Sequence, residues 1–85
     1  MKDRAKEGLM ARPIVIHADW DADAGVWVAT TRDMRGLVTE AESIEALRAK
    51  LPGMILDLLE EYGISDRPAS IEIIARASDR LTAAE

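Results

Sequence analysis

The sequence contains no cysteine, asparagine, glutamine or phenylalanine, and it has a single histidine. The lack of cysteine excludes a disulfide framework and thiolate chemistry, and it fits the reducing cytoplasm. No apolar run approaches the roughly 20 residues that a membrane-spanning helix needs. The N-terminal residues also lack the apolar core of a signal peptide. We therefore predict a cytoplasmic protein. The missing residue types, together with frequent alanine and arginine, are typical of a GC-rich bacterial genome.

Several patterns that identify enzymes and nucleic-acid-binding proteins are absent as well. The chain has no glycine-rich phosphate loop, no nucleophile elbow and no strip of alternating basic and aromatic residues. Its 16 acidic residues outnumber the 11 basic ones, which gives a formal net charge of −5. This balance disfavours non-specific nucleic-acid binding and suits a basic protein partner. The 85 residues, of which 48% are hydrophobic, suffice for one small domain with a modest core.

The longest amphipathic segment, residues 44–62, predicts one helix that covers one face of a sheet. Ser43 can accept amide hydrogens of the first helical turn, and Gly63 can take the left-handed conformation that ends many helices. Pro52 and Gly53 are unfavourable inside a helix, yet the apolar stripe keeps its register across them. We therefore expect one kinked helix and not two separate helices. The stripe comprises Ile44, Leu47, Leu51, Ile55, Leu58 and Tyr62, widened by Met54 and Leu59.

Four short segments alternate between apolar and polar residues, as half-buried strands do. These segments are residues 13–20, 26–31, 37–40 and 69–76. Short turns make the first three an antiparallel meander, and a right-handed crossover through the helix places the fourth beside the first and parallel to it. The prediction is an α+β fold, β-β-β-α-β, with a four-stranded mixed sheet in the order 3-2-1-4 and one long helix on one face.

The same pattern predicts the domain boundaries and the assembly state. We predict a single domain over residues 13–76, preceded by a flexible leader, residues 1–12, and followed by a polar tail, residues 77–85. One helix can cover only one face of the sheet, and both edge strands are open. We therefore expect a homodimer or a larger assembly, formed through an open edge or through the uncovered face.

The two tryptophans receive different predicted environments. If Trp20 pairs with Val26 across the first turn, Trp20 belongs to the core. Trp27 then shares the helix-free face with His17 and Asp19. An exposed tryptophan beside small residues is typical of a contact surface. The alternative is that Trp27 merely lies flat over its neighbours, and the residues alone leave both interpretations open.

A run of alternating aspartates, Asp19, Asp21 and Asp23, raises the question of a divalent metal. A calcium loop of the EF-hand type needs glycine at its sixth position and glutamate at its twelfth, where this chain has Ala24 and Thr30. Asp21 and Asp23 are better explained as turn formers. We predict no metal site and no cofactor.

His17 is the only histidine, and with no cysteine beside it a zinc site cannot be built. No Ser-His-Asp arrangement can be assembled around it, and a half-exposed strand histidine is the simpler interpretation. We predict no catalytic residues and no enzymatic activity.

Three acidic residues, Asp57, Glu60 and Glu61, lie near the predicted C-terminus of the helix, where the helix dipole disfavours negative charge. They are either a docking patch for a basic partner or an ordinary solvated face.

The stretch DADAGVWVATTRDMRGLVTEAESIEAL, residues 21–47, resembles the N-terminal part of HicB-like antitoxin domains. Those domains show an acidic-glycine turn, an aromatic-x-Ala strand, a Pro-Asp-x-Pro-Gly segment, a Val-Thr strand and a Ser/Thr-capped helix. Arg32 and Arg35 stand where that family usually has proline, and Leu37 stands where it often has cysteine. The matching residues are Asp23, Gly25, Trp27, Ala29, Asp33, Gly36, Val38, Thr39, Ser43, Glu45 and Leu47.

The resemblance implies an antitoxin-type domain that sequesters a small basic RNA-cleaving toxin resembling HicA. The alternative is a stand-alone homo-oligomeric HicB-like domain with a regulatory or scaffolding role and no toxin. Full-length members commonly carry a C-terminal DNA-binding module, and the few residues after Arg76 are too short for one, so direct DNA binding is not expected. The candidate partner-binding residues are Trp27, His17, Asp19, Asp57, Glu60 and Glu61.

Overall fold

The computed structural model of the protein describes residues 12–79 and residue 81. The sheet is four-stranded and mixed, in the order β3-β2-β1-β4, and one helix packs against it. The predicted fold class and strand order are therefore confirmed. Most of the predicted leader and of the predicted tail lies outside the described residues. The elements are β1 (Ile14–Asp21), β2 (Val26–Thr30), β3 (Val38–Ala41), α1 (Ile44–Glu61) and β4 (Ile71–Arg76).

The start of α1 is set by the predicted cap. Ser43 has extended backbone angles, and its side-chain oxygen accepts a hydrogen bond from the amide of Ala46 at 3.0 Å. The helix then continues without interruption across Pro52 and Gly53, so one helix forms, as predicted. Proline in a helix interior costs about 3 kcal/mol. The apolar stripe on both sides of Pro52 packs on the sheet, and this tertiary packing outweighs the local cost.

The end of α1 also follows the sequence signal. Gly63 has a φ of 71°, in the left-handed region. The amide of Gly63 donates to the carbonyl of Glu60 at 3.1 Å, and the amide of Ile64 donates to the carbonyl of Leu59 at 2.9 Å. This pair of bonds is the Schellman arrangement, which satisfies carbonyl groups that the last helical turn leaves without partners.

The core lies between α1 and the sheet, and it thins toward β4. The helix buries side chains at a spacing of four residues, so one narrow stripe faces the strands. Ile71 and Ile73 of β4 point to the same side of the sheet and pack against the core, but they remain half-exposed, because β4 is an edge strand. The buried side chains are Ile14, Ile16, Ala18, Ala29, Met34, Leu37, Leu47, Leu51, Ile55 and Leu59.

The turn between β1 and β2 is held by one aspartate. The Oδ1 atom of Asp21 accepts hydrogen bonds from the amides of Asp23 and Ala24 at 3.1 and 3.2 Å. The carbonyl of Asp21 accepts from the amide of Gly25 at 2.8 Å. Gly25 has a φ of 70°, which favours glycine. The predicted role of Asp21 as a turn former is confirmed.

This turn fixes a register that differs by one residue from the predicted one. Asp21 pairs with Val26, and Trp20 pairs with Trp27. The predicted pairing of Trp20 with Val26 is wrong, because the loop between the strands has four residues, 22–25, and the predicted pairing requires five. Side chains of a strand alternate between the faces, so this shift moves every side chain of β2 to the other face. Trp27 therefore lies on the helix side of the sheet and not on the helix-free face.

The two tryptophans form one aromatic pair at the end of the hairpin. Their ring centroids are 5.3 Å apart, and the rings are tilted by 58°. Both side chains are half-buried, and Trp27 packs against the core near Ile44 at the start of α1. Tilted pairs at this separation stabilise a fold by about 0.5–1.5 kcal/mol beyond their area burial.

The connection between β2 and β3 closes the other end of the sheet. The Thr31 hydroxyl donates to the carbonyl of Val15 at 2.6 Å, and it accepts from the amide of Asp33 at 3.0 Å. The Asp33 carboxylate accepts from the amide of Val15 at 2.9 Å. Because the last pair between β1 and β2 joins His17 to Thr30, Val15 has no partner residue in β2. The side chains of Thr31 and Asp33 bind its backbone carbonyl and amide instead.

The same connection requires glycine at Gly36. Its φ is 88°, and a Cβ atom at this position would lie 3.0 Å from the hydroxyl of Tyr62. That hydroxyl is held in place because it donates to the carbonyl of Arg35 at 2.6 Å. The end of α1 is thereby attached to the loop that leads into β3.

We predict that Gly36→Ala destabilises the protein more than Gly25→Ala, which serves as its matched control. Both variants force alanine into the left-handed region, at about 1–2 kcal/mol. Nothing lies within 4 Å of a Cβ at Gly25, whereas a Cβ at Gly36 meets Tyr62. Urea denaturation should show the larger loss for Gly36→Ala, and the excess should shrink when Gly36→Ala is combined with Tyr62→Phe. Equal losses for the two glycine variants would contradict the close approach.

We also predict that Trp27→Ala lowers the free energy of unfolding by about 2–3 kcal/mol, because a half-buried tryptophan leaves its partner ring and the core. The control is Val38→Ala, at a β3 side chain that is 64% exposed on the other face, with an expected loss below about 1 kcal/mol. Thermal or urea denaturation monitored by circular dichroism measures both. A Trp27→Ala variant as stable as the parent protein would contradict the register described above.

Candidate functional site

The structure distributes the six candidate partner-binding residues over three separate places. His17 and Asp19 lie on the face of the sheet that the helix does not cover. Trp27 lies half-buried on the opposite, helix-covered side, so its predicted exposure on the helix-free face is wrong. Asp57, Glu60 and Glu61 lie on α1. The alternation of the strands and the position of the helix therefore exclude one continuous site that contains all six.

The helix-free side of the sheet, called the open face here, carries apolar and charged side chains side by side. Val38 is 64% exposed and Ile74 is 41% exposed. The Asp19 carboxylate lies 3.7 Å from Nε of Arg76, but both side chains are well exposed, so the pair contributes little stability. The open face comprises Val15, His17, Asp19, Val28, Thr30, Val38, Glu40, Glu72, Ile74 and Arg76.

Sequence reasoning missed a shallow depression in the open face. His17 of β1 lies beside Thr30 of β2 and Ile74 of β4 in the register of the sheet. Basic side chains from a loop and from β4 border the same depression, which has a volume of about 550 Å³. Only the pairing of three strands brings these residues together, so no local pattern could have indicated it. The lining residues are His17, Asp19, Thr30, Thr31, Arg32, Ile74 and Arg76.

The second half of α1 carries a compact group of carboxylates, called the acidic patch here. Asp57, Glu60 and Glu61 are spaced i, i+3 and i+4, so they lie on the same side of the helix, and all three are exposed. The last turn contains no basic side chain that would offset their charge. Because α1 packs on the other side of the sheet, the acidic patch and the open face point in different directions.

The polar side chains of the described residues are distributed over the surface. No charged or polar residue among them is buried. No three histidine, aspartate or glutamate side chains in residues 12–79 lie close enough together to hold a metal ion. Asp21, from the aspartate run, instead uses its carboxylate to hold the β1–β2 turn. In the part of the chain with described structure, no helix combines the length and the apolarity that crossing a bilayer requires.

Similarity to known proteins agrees with this fold. The protein-family model described as "Domain of unknown function (DUF1902)" matches residues 13–83. The crystal structure of a hypothetical protein, TTHA1013, from the extremely thermophilic bacterium Thermus thermophilus is similar, with a TM-score of 0.63 and 43% sequence identity. That match covers 84% of this chain and 99% of the Thermus chain. No curated protein gives a significant match. Since the family match spans most of the chain, this protein belongs to the DUF1902 family.

Proposed function

We propose that the domain is a binding module that masks a small basic partner, as a HicB-like antitoxin masks a HicA-like RNA-cleaving toxin. The acidic patch is the observation that carries this proposal. Three carboxylates at the end of a helix oppose its dipole, so helix stability does not explain their position. A cationic RNA-binding surface would be complementary to them. The resemblance of residues 21–47 to HicB-like domains supports the same partner class.

In this proposal the acidic patch acts mainly on the rate of encounter. The net charge of −5 attracts a basic protein at long range, and the three exposed carboxylates orient it on α1. Exposed charges contribute little affinity by themselves. Apolar side chains next to the acidic patch would supply the binding affinity. Ile64, which is 47% exposed, lies three residues after Glu61, the last residue of α1, and near the half-exposed ring of Tyr62. These two residues replace Trp27 as the proposed anchors.

His17 and Asp19 have a different place in the proposal. They lie on the open face, so a small partner seated on the acidic patch leaves them uncovered. We therefore assign them to a second contact, which the open face makes and the acidic patch does not share. The domain would act in the cytoplasm, where an RNA-cleaving partner meets its substrate, and it would do no chemistry of its own.

Reversal of the charge of the acidic patch should slow binding to the basic protein encoded by an adjacent small reading frame. We predict that Asp57→Lys, Glu60→Lys and Glu61→Lys together reduce the association rate constant by about tenfold at low salt. The difference should shrink above about 0.15 M salt, where charges are screened over about 8 Å. Ile64→Ala should instead raise the dissociation rate and leave the salt dependence unchanged. Surface-based or stopped-flow kinetics measure both rate constants.

A matched control separates patch position from net charge. The triple variant Asp23→Lys, Glu42→Lys and Asp66→Lys changes the formal charge equally, at exposed positions outside the acidic patch. Lysines at the end of α1 also favour the helix dipole, so the patch variant should remain folded. Equal slowing by the two triple variants would show that net charge alone acts, and the proposed docking patch would be wrong.

Co-expression provides the cellular test of the antitoxin proposal. We expect the adjacent small basic reading frame to inhibit growth when expressed alone, and growth to return when this domain is expressed with it. The acidic-patch variant should restore growth less well than the control triple variant. A non-toxic neighbouring product, or toxicity that this domain does not change, would contradict the antitoxin proposal.

One observation favours a second candidate function, a stand-alone homo-oligomeric domain with a regulatory or scaffolding role. Among the described residues no strand pairs with the outer edge of β4 or of β3. An exposed strand edge of six residues, as in β4, is a template for pairing with another chain. This candidate does not depend on a toxin.

A further inference from the structure

We propose that two copies of this chain join their sheets edge to edge through β4, in antiparallel orientation, with the two-fold axis at Ile74. Glu72 of each copy then lies opposite Arg76 of its partner. The proposal rests on the second function above, since it specifies the surface through which the domain would self-associate. The result is a continuous eight-stranded sheet with both helices on the same side.

The hydrogen-bonding capacity of the β4 edge can be assigned from its parallel pairing with β1. The carbonyl of Ser70 accepts from the amide of Ile14 at 3.0 Å, and Ile14 is the register partner of Ile71. In a parallel pair every second residue directs its backbone groups toward the neighbour. The amides and carbonyls of Ile71, Ile73 and Ala75 therefore point away from β1, to the outer edge. They can form a ladder with a second strand.

The faces of the sheet restrict the possible registers. Side chains directly opposite each other in an antiparallel pair lie on the same face. Two identical copies related by an axis normal to the sheet must therefore have that axis at a residue and not between two residues. Axes at Ile73 and at Ile74 both pair five residues of β4. An axis at Ile73 places Glu72 opposite Ile74 of the partner, which leaves the carboxylate without a counter-charge.

Charge complementarity selects the axis at Ile74. Glu72 and Arg76 are both exposed, and both lie on the open face. With this axis they form two opposite-charge pairs across the junction, one on each side of the two-fold. They occupy the closer, non-hydrogen-bonded positions of the ladder, where side chains interact most strongly. The nearby Asp19 carboxylate already lies 3.7 Å from Arg76, so it adds to the negative charge around that guanidinium.

Apolar surface on both faces of the junction would be buried at the same time. On the open face, Ile74 is 41% exposed, and it would meet its own copy across the two-fold axis. On the helix side, half-exposed Ile73 would lie opposite Ala75 of the partner. A groove lined by apolar side chains, Pro52, Leu56 and Pro68 among them, continues this surface between α1 and Ile71.

The other edge of the sheet is less suited to pairing. β3 has four residues, from Val38 to Ala41. The Lys50 ammonium donates to the carbonyl of Glu40 in this strand at 2.8 Å. A lysine held against a short edge strand is one of the devices by which proteins prevent edge-to-edge association. β4, with six residues, has no hydrogen bond to a lysine side chain in the described structure.

A charge-exchange experiment on the full chain tests this register. Glu72→Arg places arginines opposite each other, and Arg76→Glu places glutamates opposite each other. Each variant alone should raise the dimer dissociation constant about tenfold or more. A one-to-one mixture of the two should form heterodimers with a dissociation constant within about threefold of the parent protein, because both cross-strand pairs become complementary again. Sedimentation equilibrium measures all three samples.

A third variant tests the ladder independently of charge. Ala75→Pro removes an amide that points to the outer edge, so it should abolish dimerisation and leave the pairing with β1 and the circular dichroism spectrum unchanged. A parent protein that is monomeric at tens of micromolar would overturn the proposal. So would a mixture of the charge variants that associates no better than each one alone. Toxin masking through the acidic patch would survive either result, because it uses the outer side of α1.

Discussion

The side chain of Asp21 fixes the composition of both faces of this small sheet. Its carboxylate holds a turn of four residues, and that length sets Trp20 opposite Trp27. A turn with one residue more would exchange the faces of β2, exposing Trp27 and moving the buried Ala29 to the open face. The two hydrogen bonds of Asp21 and the aromatic pair beside them therefore favour the same register, and this register decides which side chains of β2 face the core.

The parts of the fold that the sequence predicts correctly are those that local chemistry determines. Ser43 and Gly63 mark the ends of α1 because capping depends on neighbours within four residues. Strand order follows from short connections and the handedness of the crossover. The hairpin register does not follow in the same way, because DADAG permits loops of four or five residues. The Asp21 carboxylate holds the four-residue loop, and the packing of Trp27 against Trp20 and the core favours the same register. No local pattern contains that packing.

The candidate surfaces also differ in whether local chemistry or the packing of distant residues determines them. The acidic patch could be predicted, since Asp57, Glu60 and Glu61 share one side of a helix whatever the helix packs against. The depression around His17 could not, because Arg32 reaches it from the loop after β2 and Arg76 reaches it from β4. The predicted face of Trp27 is wrong, because the face on which this side chain lies depends on the register. An error of one residue in a strand thus changes a functional interpretation, whereas a similar error at a helix end changes almost nothing.

The placement of one helix on a four-stranded sheet also explains why two kinds of association can coexist. α1 packs on one side of the sheet over a core that includes Ile16 and Ala18 of β1 and Ala29 of β2, and its outer side carries the acidic patch. β4 is an edge strand of the described sheet, with a half-covered inner side, an open outer edge and charges of both signs on one face. Net negative charge keeps random encounters between copies unfavourable. Only a register that sets Glu72 against Arg76 turns that repulsion into local attraction. Self-pairing at β4 and attraction of a basic partner at α1 then depend on charges of different elements. One molecule can therefore use both surfaces.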